Sequence, residues 1–136
     1  MEILTLYSLF QEVMNELRQL KSITDTIMLK LIFLFPNTLK DALHIVDQNY
    51  IKCFATGNGR KIYKVYNEND RISQLVLVEG NFCDCYSYIK DVVKFCTTFM
   101  CCHQVAVNIA ISLSSISLTE VVNDEIMKEM IESVFL

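Results

Sequence analysis

The sequence predicts an α+β fold: helices first, a three-stranded antiparallel meander in the middle, and helices again after a cysteine-rich knuckle. Three observations predict it. Apolar residues recur at helical spacing between Ile3 and Val46; strand-like runs punctuated by glycine and asparagine follow from Tyr50 to Val78; helical spacing resumes after Cys83. With 136 residues, 52% of them hydrophobic, the chain has room for one domain with a real core, read as 1–136 without linker or internal repeat.

Ile3, Leu6, Tyr7, Phe10, Val13, Met14, Leu17 and Leu20 alternate at spacings of three and four, which lays one apolar stripe along a first helix. Ser22 and Asp25 have the spacing of a capping box and open a second helix through about Leu34, which Phe35-Pro36 ends because proline disfavours helix in the residue before it. Thr38 and Asp41 repeat the capping spacing, and Leu39, Ala42, Leu43 and Val46 form the inner face of a third helix, where His44 reads as an ordinary surface or half-buried residue.

The strands follow. Tyr50 to Thr56 is the first, Gly57-Asn58-Gly59 a tight hairpin turn, Lys61 to Tyr66 the second, Asn67 to Asp70 another turn, and Arg71 to Val78 the third. Gly80-Asn81 breaks the meander before Cys83. Helices are expected at about Tyr86 to Lys94, at His103 to Leu113, and from about Leu118, where Ser117 and Glu120 have capping-box spacing and Val122, Ile126, Met130 and Val134 share a face.

Composition narrows the function classes. A net charge of −4 argues against a surface built throughout to clamp phosphates. Three glycines and one proline exclude collagenous and linker-like segments. No charged segment followed by an apolar run opens the chain, so a secretory leader is not expected. Ile27 to Phe35 and Gln104 to Thr119 are apolar but too short or too polar for a span of about 20 residues; both read as buried helix, and no membrane partner is expected. Six cysteines without an export signal point to reduced thiols or metal ligands.

Cys83 and Cys85 bracket Asp84. In an extended segment, residues two apart share a face, so both thiols can aim at one point. Cys101 and His103 stand at a predicted helix start. Within a helix, positions two apart diverge by about 200°, so the pair converges only if Cys101 sits in the non-helical cap and His103 in the first turn. Three sulfurs and one nitrogen make a closed tetrahedral set suited to structural Zn2+, with no open position for catalysis. Core packing is the competing account of any buried cysteine, and it is the one adopted for Cys53. Cys96 could replace Cys101, and the use of Cys102 stays open. Three thiolates and a neutral imidazole leave a zinc centre at net −1, for which Lys90 and Lys94 are candidate counter-charges, although solvent-facing lysines on a helix are the favoured account.

The pattern C-x-C, fifteen residues, C-x-H before an apolar helix resembles the SWIM-type zinc finger, here within about residues 71–112. Leu34-Phe35 with Thr38 to Asp47, Gly57 to Val65, and Cys101 to Val107 are similar to further segments of the zinc finger SWIM domain-containing protein 7 family, the SWIM subunits of the Shu complex. Two departures stand out: Tyr86 where proline is usual, and Cys102 where lysine is common, which removes a positive charge beside the metal. The resemblance implies a non-enzymatic nuclear protein that pairs with a RecA-fold recombinase paralogue. It promotes recombinase filament assembly in homologous recombination, reaching single-stranded DNA through the partner. No small-molecule substrate is implied. Candidate partner surfaces are the N-terminal stripe (Leu6, Tyr7, Phe10, Met14), for which burial in the domain's own core is the favoured alternative, and the C-terminal end near Val134 and Phe135.

The alternative is a finger that binds single-stranded nucleic acid directly through Arg60, Lys61 and Lys64 with Tyr63 and Tyr66; a solvated sheet edge would explain the same charges. Thiol catalysis is not expected. Cys101-Cys102-His103 supplies both residue types, but neighbours in sequence seldom reach each other, and no C-x-x-C, P-loop, G-x-S-x-G or H-E-x-x-H pattern occurs.

Overall fold

The computed structural model describes residues 3–67 and 73–135. Three helices open the chain: α1 (Ile3–Leu20), α2 (Asp25–Leu34) and α3 (Leu39–Asp47). Strands β1 (Ile51–Ala55), β2 (Lys61–Tyr66), β3 (Ser73–Leu77) and the two-residue β4 (Phe82–Cys83) follow, then a π-helical turn over Tyr88–Lys94. The chain continues through α4 (Cys102–Leu113), β5 (Leu118–Val121) and α5 (Asp124–Glu132). The turn expected at Asn67 to Asp70 and the strand start at Arg71 and Ile72 fall, Asn67 apart, outside the described residues.

The α1 stripe packs inward as its periodicity requires: Phe10, Val13, Met14 and Leu17 are buried, whereas Tyr7 is exposed and Leu6 lies at the margin. Phe10 and Met14 are therefore core rather than partner surface. The first residue of α2 is set by Thr24 and not Ser22; the Thr24 side chain accepts the Ile27 N–H at 3.2 Å. Thr38 precedes α3 with helical backbone angles and no side-chain cap, so the spacing to Asp41 does not produce a box there.

One further reading is corrected in α2. Ile27, Leu31 and Leu34 are buried, but Leu29, Ile32 and Phe33 face out at 68%, 49% and 58% exposure. A run apolar all round does not choose a buried face by itself; the neighbours do.

The hairpin forms as read. Ile51 pairs with Val65 and Ala55 with Lys61, Thr56 N–H donates to Arg60 O at 2.9 Å, and Gly59 takes φ +91° to close the turn. The sheet, however, has five strands in the order β4-β3-β2-β1-β5, and β5 runs parallel to β1, with Lys52 opposite Leu118 and Ala55 opposite Val121. Leu118 to Val121 is thus a strand where a helix start was expected. The Ser117-x-x-Glu120 spacing gives way to ladder bonds on the open edge of β1, reinforced by Lys52 Nζ to Glu120 Oε2 at 2.9 Å. The last helix begins six residues later than expected, where Asn123 accepts the Ile126 N–H at 2.8 Å. Its buried residue is Met127, while Ile126 is 44% exposed.

Strand alternation divides the core. Cys53, Tyr63, Val65 and Val76 join the large cluster with α1 to α4; Phe54, Ile62 and Leu75 turn to the other face and meet Met127 of α5. Helix α4 is the central element: Val105, Ala106, Val107, Ile109 and Ala110 are all buried. Its C-terminus is closed by Lys21, whose Nζ reaches Ser112 O at 3.1 Å and Ser114 Oγ at 2.8 Å, placing a cation against the helix's orphan carbonyls. Among the described residues no helix is long and apolar enough to cross a membrane.

Candidate metal centre

Two backbone devices deliver the four predicted ligands. The first is the β3–β4 knuckle. Val76 pairs with Cys83 and Leu77 with Phe82 across a turn closed by Asn81 at φ +49°. Past β4, Asp84 N–H donates to Leu75 O at 3.2 Å and the Asp84 carboxylate accepts Leu75 N–H at 2.8 Å, so the residue between the cysteines is fixed from both sides. The second device is the start of α4. Cys101 is extended (φ −83°, ψ 172°) and caps the helix, and His103 lies in the first turn. This is the arrangement a C-x-H pair needs to converge.

Between these devices the chain takes the π-helical turn, with Phe95 N–H reaching Lys90 O at 2.9 Å, and then buries Phe99. The Phe99 ring lies 5.0 Å from that of Phe35 and 6.0 Å from that of Phe10, which anchors the segment just before Cys101 to α1 and the end of α2.

The donor atoms of Cys83, Cys85, Cys101 and His103 all lie within 4.8 Å of one another. His103 presents Nδ1, 3.8 Å from the Cys83 sulfur and 3.9 Å from the Cys101 sulfur. Zinc bonds of about 2.3 Å to sulfur and about 2.0–2.1 Å to nitrogen set tetrahedral donors about 3.5–3.8 Å apart, so the cluster has the size of the ion. Coordination through Nδ1 leaves the imidazole proton on Nε2.

The electrostatics of the thiols fit a cation as well. Contacts with Cys101 and Cys85, then burial, push the Cys83 thiol far up; hydrogen bonds from Cys101 and Cys83, with His103 and the Tyr88 N–H behind them, pull Cys85 far down. The Cys101 thiol, drawn down by Cys83 but more strongly up by Cys85 and burial together, stands at about 12. Three buried sulfurs oppose one another's ionisation, so without a counter-charge the balance favours the thiolate at Cys85 and the thiols at Cys83 and Cys101; a dication lets all three ionise. The residues therefore form a site that can hold a metal, and the donor set fits zinc.

The other cysteines stand apart. Cys53 is buried beside Tyr63, as core. Cys96 is exposed at φ +53° with its thiol on Val93 O at 3.7 Å, outside the cluster it could have joined. Cys102 is half-buried, its thiol pushed up to about 11 by burial and then by Cys85 and Asp41. Lys90 and Lys94 are solvated, and His44 is exposed with its ring near Tyr50. The basic hairpin residues do not gather on one surface: Tyr63 is only 7% exposed and lies on the opposite face of β2 from Lys64 and Tyr66, and β2 is an interior strand, not an edge.

Two residues that hold the site together were not singled out by the sequence, Gln104 and Asn81, which hydrogen-bond at 3.1 Å. Gln104 is the third helical residue after the Cys101 cap, where a glutamine reaches back to the cap N–H; that spacing was the available signal.

No family model matches the chain, and no solved structure matches it. Curated proteins do. It is 26% identical over 107 residues, 76% of either chain, to zinc finger SWIM domain-containing protein 7 of Danio rerio. The Homo sapiens protein of that name is 26% identical over 99 residues, 73% of this chain and 70% of the relative. A homolog in Dictyostelium discoideum is 19% identical over 120 residues, 88% of this chain and 77% of its own. The same name recurs across distant organisms, and the chain itself assembles the C-x-C and C-x-H donors around one point. The chain is thus a homologue of the proteins named zinc finger SWIM domain-containing protein 7, and it carries a Cys/His cluster that can hold a metal.

Proposed function

We propose that the chain is a non-enzymatic, nuclear SWIM-type zinc-finger subunit of a Shu-like complex. In this reading it pairs with a RecA-fold recombinase paralogue and promotes recombinase filament assembly during homologous-recombination repair. The observation that carries the reading is the closed Cys83–Cys85–Cys101–His103 set within the homology to the SWIM proteins. A metal held by four protein donors has no position for substrate or activated water, so its work is to fix the β3–β4 knuckle against α4.

A scaffold acts through its surface. Leu29, Ile32 and Phe33 on α2, and Tyr86, Ile89, Val93 and Phe95 around the π-helical turn, are large apolar side chains left to solvent. Exposed apolar surface of that kind suits a protein partner better than nucleic acid. The zinc supports the second group directly, since the turn lies between the two pairs of ligands.

The test is purification of the tagged chain from its source cells, mass spectrometry of what co-purifies in near-equal amount, and reconstitution with recombinase on single-stranded DNA. A RecA-fold protein that co-purifies and is lost with Cys83→Ser is the expected result. Absence of any RecA-fold partner, with zinc bound, overturns the reading.

A further inference from the structure

Gln104 is 1% exposed on a helix whose other buried positions are apolar or small. A buried amide left without partners costs about 1–3 kcal/mol, so its bonds define where it can sit. The Cys101 N–H can only donate, so Oε1 faces it, at 2.8 Å; Nε2 then points the other way and donates to Asn81 Oδ1 at 3.1 Å. The Gln104 backbone N–H in turn bonds the Cys101 sulfur. Asn81 lies two residues before Cys83 in the left-handed turn of the knuckle, a conformation asparagine tolerates. One side chain thereby spans from the segment that presents Cys101 and His103 to the segment that presents Cys83 and Cys85.

We infer that Gln104 is a positioning residue for the metal site, its amide locking the two half-sites in register through Asn81 before an ion arrives. The inference rests on the zinc reading. Outer-shell partners of this kind change metal affinity about 10–100-fold when lost. Glutamate at 104 keeps the acceptor for the Cys101 N–H but loses the donor to Asn81; alanine at 81 removes the same bond from the other side. Aspartate at 81 keeps an acceptor there.

The experiment measures zinc affinity of the full chain by chelator competition, with the visible spectrum of the cobalt(II) form reporting ligand geometry. Gln104→Glu and Asn81→Ala are each expected to weaken zinc about tenfold or more and to shift the cobalt bands, the double variant to lose no more than the worse single, and Asn81→Asp to restore most of the affinity. Either single variant within about twofold of the parent, or losses that multiply in the double, overturns the inference. Gln104→Glu keeps the helix cap and puts no apolar side chain in the interior, and Asn81→Asp separates loss of the hydrogen bond from the strain alanine brings to the left-handed position. A parent that binds no zinc at all removes the metal reading too, whereas a tight-binding parent with indifferent variants removes the role of Gln104 alone.

Discussion

Metal loading should release about two protons at neutral pH, and the number follows from the thiol cluster. Without an ion, Cys85 is the sulfur that ionises, held down by hydrogen bonds from Cys101 and Cys83, while Cys83 is pushed far up and Cys101 stands at about 12. Zinc requires all three as thiolates and His103 neutral. Two thiols, Cys83 and Cys101, therefore lose their protons on binding. By linkage, affinity falls as pH falls, by about a hundredfold per pH unit near neutrality. Calorimetric titration of the reduced, metal-free protein with zinc, in buffers of different ionisation enthalpy, reads the proton count directly. Release of about three protons would mean that no thiolate pre-exists in the cluster; release near zero would mean the sulfurs are not the ligands. Either result refutes the electrostatic account of the site.

Other perturbations test the framework. Phe99→Ala empties the ring cluster with Phe10 and Phe35 and should cost about 3–5 kcal/mol in urea unfolding of the metal-loaded protein; a loss under about 1 kcal/mol would show that the cluster does not anchor the Cys101 segment. Asn123→Ala should cost about 1 kcal/mol by removing the cap of α5, leaving zinc affinity unchanged. Cys96→Ser should bind zinc like the parent, as its thiol is outside the cluster; a large loss of affinity would contradict the assigned ligand set. Burial, aided by Cys53, raises the Tyr63 hydroxyl to about 12. The folded form therefore holds the proton more tightly than the unfolded chain, and stability present below about pH 10 drains away between about 10 and 12. Alkaline absorbance titration should show a late tyrosine step near pH 12 that is missing in Tyr63→Phe.

The ligand set, the α1 stripe and the β1–β2 hairpin were legible in the sequence because each is written in residues close together: helical spacing, Gly57 to Gly59 at the turn, and two ligand pairs each two residues apart. Even the need for Cys101 to stand outside the helix followed from the angle between successive residues, and the structure meets it with an extended Cys101. What reached across the chain was not legible. Ser117-x-x-Glu120 satisfies a local capping rule, yet Leu118 to Val121 pairs with β1, more than sixty residues earlier, because an open strand edge offers ladder bonds that a cap cannot match. Whether Cys96 or Cys101 completed the site depended on the π-helical turn and on Phe99, which bury one cysteine and expose the other. Tyr63, placed in sequence among basic residues, lies under the sheet because strand alternation and packing, not neighbouring charge, choose the face. Local chemistry thus named the donors; only the long-range packing of α4 against the knuckle brought them within one ion's reach, since the distance between two half-sites is set by the core that holds them apart.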